Sequence, residues 1–137
     1  MTKQIWLNLP VKDVAQSKQF FTSIGFSFNE ANSNDDMACM QVGEQNFVVM
    51  LFKDTILETF SQHPITDTSK SSEMMISFDA ESRKEVDAFA EKVKKAGGNL
   101  FAPPDDIQGW MYGCAFADLD GHRWNILYMD FSKMTHN

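Results

Sequence analysis

Positive charge is in short supply along this chain. Twelve lysines and arginines stand against 19 aspartates and glutamates, a formal charge of −7 over 137 residues. A nucleic-acid partner would call for a basic face, so that balance argues against one. The one local cluster, Lys92-Val93-Lys94-Lys95, falls at an expected helix end, where lysines suit the negative pole of the helix dipole. Cysteine is almost missing. Cys39 and Cys114 are the two present, both inside apolar strand-like runs. They read as small buried hydrophobes rather than as a disulfide, and no CxxC or Cys/His zinc spacing occurs. No apolar run approaches the roughly 20 residues of a membrane span, and no signal-peptide pattern precedes the first strand-like stretch. The expectation is a cytoplasmic protein with no membrane partner. With 43% hydrophobic residues, a chain of this length can bury a core as one domain.

What is present is a repeated order of elements. Ile5–Leu9 reads as a strand closed by Pro10, and Asp13 can cap a helix from Val14 to about Ser23 that Gly25 stops. Strand patterns follow at Phe26–Glu30, Met37–Val42 and Phe47–Phe52, with helical character over Thr55–Phe60. Residues 62–72 are polar and unpatterned, a linker in composition. Then a strand, Glu73–Asp79, begins the order again. Ser82 and Glu85 have capping-box spacing for a helix with an apolar face of Val86, Phe89, Ala90 and Val93, stopped at Gly97-Gly98. A short strand Asn99–Ala102, a loop 103–109 and a hairpin complete it. The hairpin joins Met111–Ala117 to Arg123–Met129 through Asp118-Leu119-Asp120-Gly121-His122, where the two aspartates serve the turn and His122 is expected to be exposed.

The helix-stopping glycines Gly25 and Gly97 lie 72 positions apart, and the strand starts Ile5 and Met74 lie 69 apart. Duplication of a βαβββ unit accounts for both offsets. The expected class is α+β, with two such repeats forming a curved mixed sheet around a cavity and the helices outside. A first module spans 1–61, the linker 62–72, a second module 73–130 and a tail 131–137.

That doubled unit resembles the vicinal oxygen chelate superfamily, which includes glyoxalase I, extradiol dioxygenases and the bleomycin- and fosfomycin-resistance proteins. The likeness is carried by Asn8-Leu9-Pro10-Val11-Lys12-Asp13, by Ser17 with Phe20-Phe21, by Gly25-Phe26, and above all by Asp118-Leu119-Asp120-Gly121-His122-Arg123-Trp124. It is nearest to the lactoylglutathione-lyase-like subgroup. The resemblance implies a small-molecule partner, a homodimer and, in metal-dependent members, an ion held by four inward side chains. Those positions fall here on Trp6, on Val48 or Met50, on Glu73 and on Asn125. An indole N–H only donates and a thioether suits a hard ion poorly, so no functional metal centre or other cofactor is expected.

Strand alternation on that scaffold turns Trp6, Asn8, Met50, Glu73, Arg123 and Asn125 toward a ligand, with Trp110 and Tyr112 as loop-borne aromatics near it. Leu7, Leu9 and Ile5 then face the helices, as do Trp124, Ile126 and Tyr128. Glu73 is the candidate acid/base, since burial would raise its pKa, and a cavity carboxylate would favour a cationic or aromatic ligand. The leading function is metal-free binding of a small molecule. The alternatives are a lactoylglutathione lyase-like lyase or isomerase using Glu73, in which a divalent metal would be the cofactor, and a structural protein whose cavity Trp6 and the methionines fill. His122 and His63 have no nucleophile at triad spacing.

Overall fold

The computed structural model describes residues 1–134; the last three residues of the expected tail lie outside the described residues. The chain forms two compact units, Met1–Asp67 and Thr68–Asn137. In the first, β1 (Leu7–Val11), α1 (Val14–Ser23), β2 (Ser27–Asn29), β3 (Met37–Val42) and β4 (Phe47–Lys53) are followed by α2 (Asp54–Ser61). In the second, β5 (Met75–Ala80), α3 (Arg83–Lys95), β6 (Asn99–Ile107), β7 (Met111–Ala117) and β8 (Arg123–Met129) repeat the order. Each unit has a four-stranded mixed sheet. The strand orders, β1-β4-β3-β2 and β5-β8-β7-β6, are the same, with the first pair parallel and the others antiparallel. The duplicated βαβββ architecture is therefore what the chain adopts.

Both helices that follow a first strand begin and end alike. Asp13 Oδ1 accepts from the N–H of Gln16 at 3.0 Å, and Ser82 Oγ accepts from Glu85 at 3.1 Å. Each cap supplies an acceptor to a first-turn amide that has no partner within its own helix. At the other end Phe26 N–H donates to Phe21 O and Gly25 N–H to Thr22 O; Gly98 to Val93 and Gly97 to Lys94 repeat the pair. This is the Schellman closure, which turns the chain back through a left-handed residue. Gly25 and Gly97 hold that position with φ of +110° and +91°. In the first unit the closure carries its apolar contact as well, the rings of Phe21 and Phe26 stacking at 6.0 Å.

Alternation then assigns the faces. In the first sheet Leu9, Val11, Val49, Leu51, Ala38 and Met40 are buried, the side that Phe20 and Phe21 of α1 share. In the second, Phe89 of α3 meets Phe78 at 5.2 Å and Phe116 at 5.6 Å, and Trp124 is fully buried beside them. In β7 the same alternation puts Cys114 and Phe116 on the helix side.

Four expectations need correction. Pro10 does not end the first strand; β1 is an edge strand paired only to β4, and an edge tolerates a residue with no N–H to donate. β6 is likewise an edge strand and runs on through Pro103 and Pro104 to Ile107; the two prolines fall in the register shift between Ala102 and Asp105, where the ladder is interrupted, so the expected loop 103–109 shrinks to the three residues before Met111. The fifth strand starts at Met75, leaving Glu73 outside it. His122 is buried at 8% exposure.

The β7–β8 turn explains that burial. Asp118 Oδ1 accepts from the N–H groups of Asp120 at 2.9 Å and His122 at 3.0 Å, and its Oδ2 accepts from the Trp124 indole at 3.0 Å. Burial pushes this carboxyl above its ordinary value, while His122 and the indole donor act in the opposite sense. Thr68 closes the turn from outside, its hydroxyl donating to the Asp120 carbonyl.

Two stability outcomes follow. Gly97→Ala forces a Cβ into the left-handed region and should lower the unfolding free energy by about 1–2 kcal/mol. Asp118→Ala strands three donors around a fully buried tryptophan and should cost roughly 3 kcal/mol, with Asp118→Asn losing about half as much because one oxygen remains. Urea midpoints measure both. A loss below about 1 kcal/mol for Asp118→Ala would remove the carboxylate from its organising role.

Candidate functional site

The face of the first sheet turned away from α1 carries a hollow of about 670 Å³. Register builds it. The turn 43–46 sets Val42 opposite Phe47, and counting back along the antiparallel pair puts Cys39 opposite Met50 and Met37 opposite Phe52. All four of these, with Val48 and Phe47, line the hollow. Asn8 lies across from Met50 on β1 but stands exposed and outside the lining. Trp6 precedes β1 and is half exposed, yet it contributes to the wall together with Ile5, Gln4 and Lys3. Ile5 was expected against the helices. The chain leaves the sheet before Leu7, so alternation no longer governs it and Ile5 joins the hollow instead. Amides of Asn32, Gln45 and Asn46 complete the rim. The surface is apolar and aromatic with a few polar groups, the composition of a small-molecule site.

The second unit holds the other expected residues, and it spreads them apart. Arg123 and Asn125 occupy the face of β8 away from α3, opposite Met75 and Ser77 of β5. The Arg123 guanidinium lies 4.4 Å from the Phe101 ring centroid. Asn125 Oδ1 is buried with no hydrogen-bond partner among the described residues. Glu73 is exposed, two residues before the strand that would have carried it. Trp110 packs on Phe131 at 5.7 Å and its carbonyl accepts from Asp130 at 2.8 Å. Tyr112 donates its hydroxyl to Asp87 at 2.5 Å under the Arg83 guanidinium, which also pairs with Asp106 at 2.7 Å. Both aromatics thus have structural partners within their own unit.

A divalent ion on this scaffold asks for about three hard oxygen or nitrogen donors, and two of the four expected positions, Trp6 and Met50, supply none. Around Met50 stand the Asn8 amide and the Cys39 thiol, which burial pushes above its usual value and so away from the thiolate a metal would bind. Trp6 offers only a donor hydrogen. Among the described residues no three His, Cys, Asp or Glu side chains gather into a metal-holding group. The donor set does not fit a divalent ion.

Residues 3–43 match a family described as bleomycin resistance protein-like N-terminal. A glyoxalase-related enzyme from Fulvimarina pelagi superposes with a TM-score of 0.79 at 23% identity, over 93% of this chain and 88% of that one. A genomically encoded fosfomycin resistance protein, FosX, from Listeria monocytogenes superposes at 0.69 and 18% identity, over 97% and 98%. The fold is thus that of the glyoxalase/bleomycin-resistance/dioxygenase proteins, the vicinal oxygen chelate class. Nearer in sequence is the hypothetical protein SA1046 from S. aureus, with 37% identity over 93% of this chain and 95% of that one and a TM-score of 0.84. The chain belongs to one family with that S. aureus protein. No curated protein matches it.

Sequence reasoning missed Cys39, Met37, Phe52 and Lys3. The first three were accessible through the turn 43–46, whose length sets the β3–β4 register; Lys3 lies before any strand and left no periodic signal.

The thiols give a direct check on burial. Desolvation, with the Asp87 charge adding to it, pushes Cys114 up to about 11. At pH 8 its thiolate fraction is then on the order of one in a thousand. Iodoacetamide should label Cys39 and Cys114 at least about tenfold more slowly in the native protein than in urea. Equal rates would contradict the burial of the two thiols, which are 5% and 3% exposed.

Proposed function

We propose that the chain binds a small, largely apolar organic molecule on the open face of its first sheet, without a metal ion. One observation supports this above the rest: two of the four positions from which the fold's metal-dependent members would hold an ion are met here by Trp6 and Met50, in the wall of a roughly 670 Å³ hollow. Such a volume lies within the range of about 300–1,000 Å³ common for ligand sites. Nine methionines give an adaptable interior, and two of them, Met37 and Met50, face this hollow.

The lactoylglutathione lyase-like alternative draws less support, because its proposed acid/base, Glu73, is exposed and outside β5. A cavity plugged by its own side chains also draws less, since Trp6 keeps 53% of its surface exposed and leaves the hollow open.

Metal analysis of the purified protein should find less than stoichiometric nickel, zinc or manganese, and adding these ions should not raise Tm. An organic ligand at a hundredfold excess over its Kd should stabilise the fold by about 2.7 kcal/mol. A stoichiometric transition metal carried through purification, or a Tm rise with these ions alone, would overturn the metal-free reading.

A further inference from the structure

We infer that the molecule held on the first sheet is a flat aromatic acid, its ring against Trp6 and the apolar wall and its carboxylate directed to Lys3. This rests on the binding reading above and adds the charge of the ligand. The chain is strongly acidic, yet no Asp or Glu is among the residues lining the hollow. Lys3 is the single formally charged group there, and among the described residues no carboxylate pairs with it. An ammonium ligand entering this site would shed water, meet the like charge of Lys3 and find no carboxylate, with only the ring faces to offset that cost. A carboxylate would meet Lys3, and the same lining holds the amide donors of Gln4, Gln45 and Asn46. Charge-assisted hydrogen bonds of that kind are the stronger ones.

The wall selects the rest of the molecule. Trp6, Phe47 and Phe52 offer ring faces and edges, and Met37 and Met50 offer sulfur, which packs well on aromatic edges. The volume has room for two fused rings. The preference for a cation, which followed from placing Glu73 in the cavity, is thereby reversed, since Glu73 lies outside the lining.

Isothermal titration of the full chain with three matched probes tests this: 2-naphthoate, 2-naphthylmethanol and 2-naphthylmethylammonium. The acid should bind about tenfold more tightly than the alcohol, and the ammonium more weakly than either. Lys3→Gln, in a segment without regular structure, should bring the acid down to the affinity of the alcohol and leave the alcohol unchanged. If the ammonium or the alcohol binds as well as the acid, or if Lys3→Gln leaves the order intact, the inference fails while the binding reading stands. If none of the three binds, both fail. Sedimentation velocity run alongside separates one cause of that result: a dimer abolished by Trp6→Ala would mean that a second copy of the chain occupies this face.

Discussion

Each sheet in this protein has one side packed against its unit's long helix, and that asymmetry is the constraint from which the rest follows. Side chains alternate along a strand, so burying Leu9, Val11, Val49 and Leu51 commits Asn8, Val48, Met50 and Phe52 to the opposite side. The same rule in the second unit buries Trp124 and Ile126 and turns Arg123 and Asn125 away from α3. A slip of one residue would exchange the two sets, so the register that makes the core also makes the site. Function on this scaffold is decided by which residues fall on the free side.

The devices that hold the register are local. Schellman closures at Gly25 and Gly97 return the chain from each helix to its sheet through the same pair of hydrogen bonds in both units. In the second unit Asp118 ties the β7–β8 turn to the buried indole of Trp124, joining a backbone turn to the core through one carboxylate. A carboxyl so buried is tolerated because three N–H donors surround it, and a replacement without an acceptor leaves those donors unpaired.

Much of this was legible in the residues. Apolar spacing, Asp13 and Ser82 as caps and the paired glycines marked both βαβββ units, and alternation put Trp124 and Ile126 under the helices. The misses have physical causes. Pro10, Pro103 and Pro104 read as strand stops because proline lacks a donor, but an edge strand spares Pro10 that need and a register shift spares Pro103 and Pro104, and both are properties of the sheet rather than of the local sequence. Glu73 read as a strand start because nothing in its neighbours fixed the boundary before Met75. His122 read as exposed because turn residues usually are; its burial comes from Asp118 and from packing beneath the turn. The polar linker likewise gave no sign that Thr68 would bond the carbonyl of Asp120, a contact across 52 positions. Lys3 was invisible for a different reason, since a lysine ahead of the first strand has no pattern to belong to.

The central claim is that the free side of the first sheet is where this chain takes its ligand. The direct measurement is a methyl NMR spectrum of the full chain with its methionine methyls labelled, recorded before and after adding 2-naphthoate. Met37 and Met50 line the hollow and should shift under the ring current, while Met74 and Met75, at the fifth strand, should not. Shifts confined to Met74 and Met75, with Met37 and Met50 unmoved, would contradict the account.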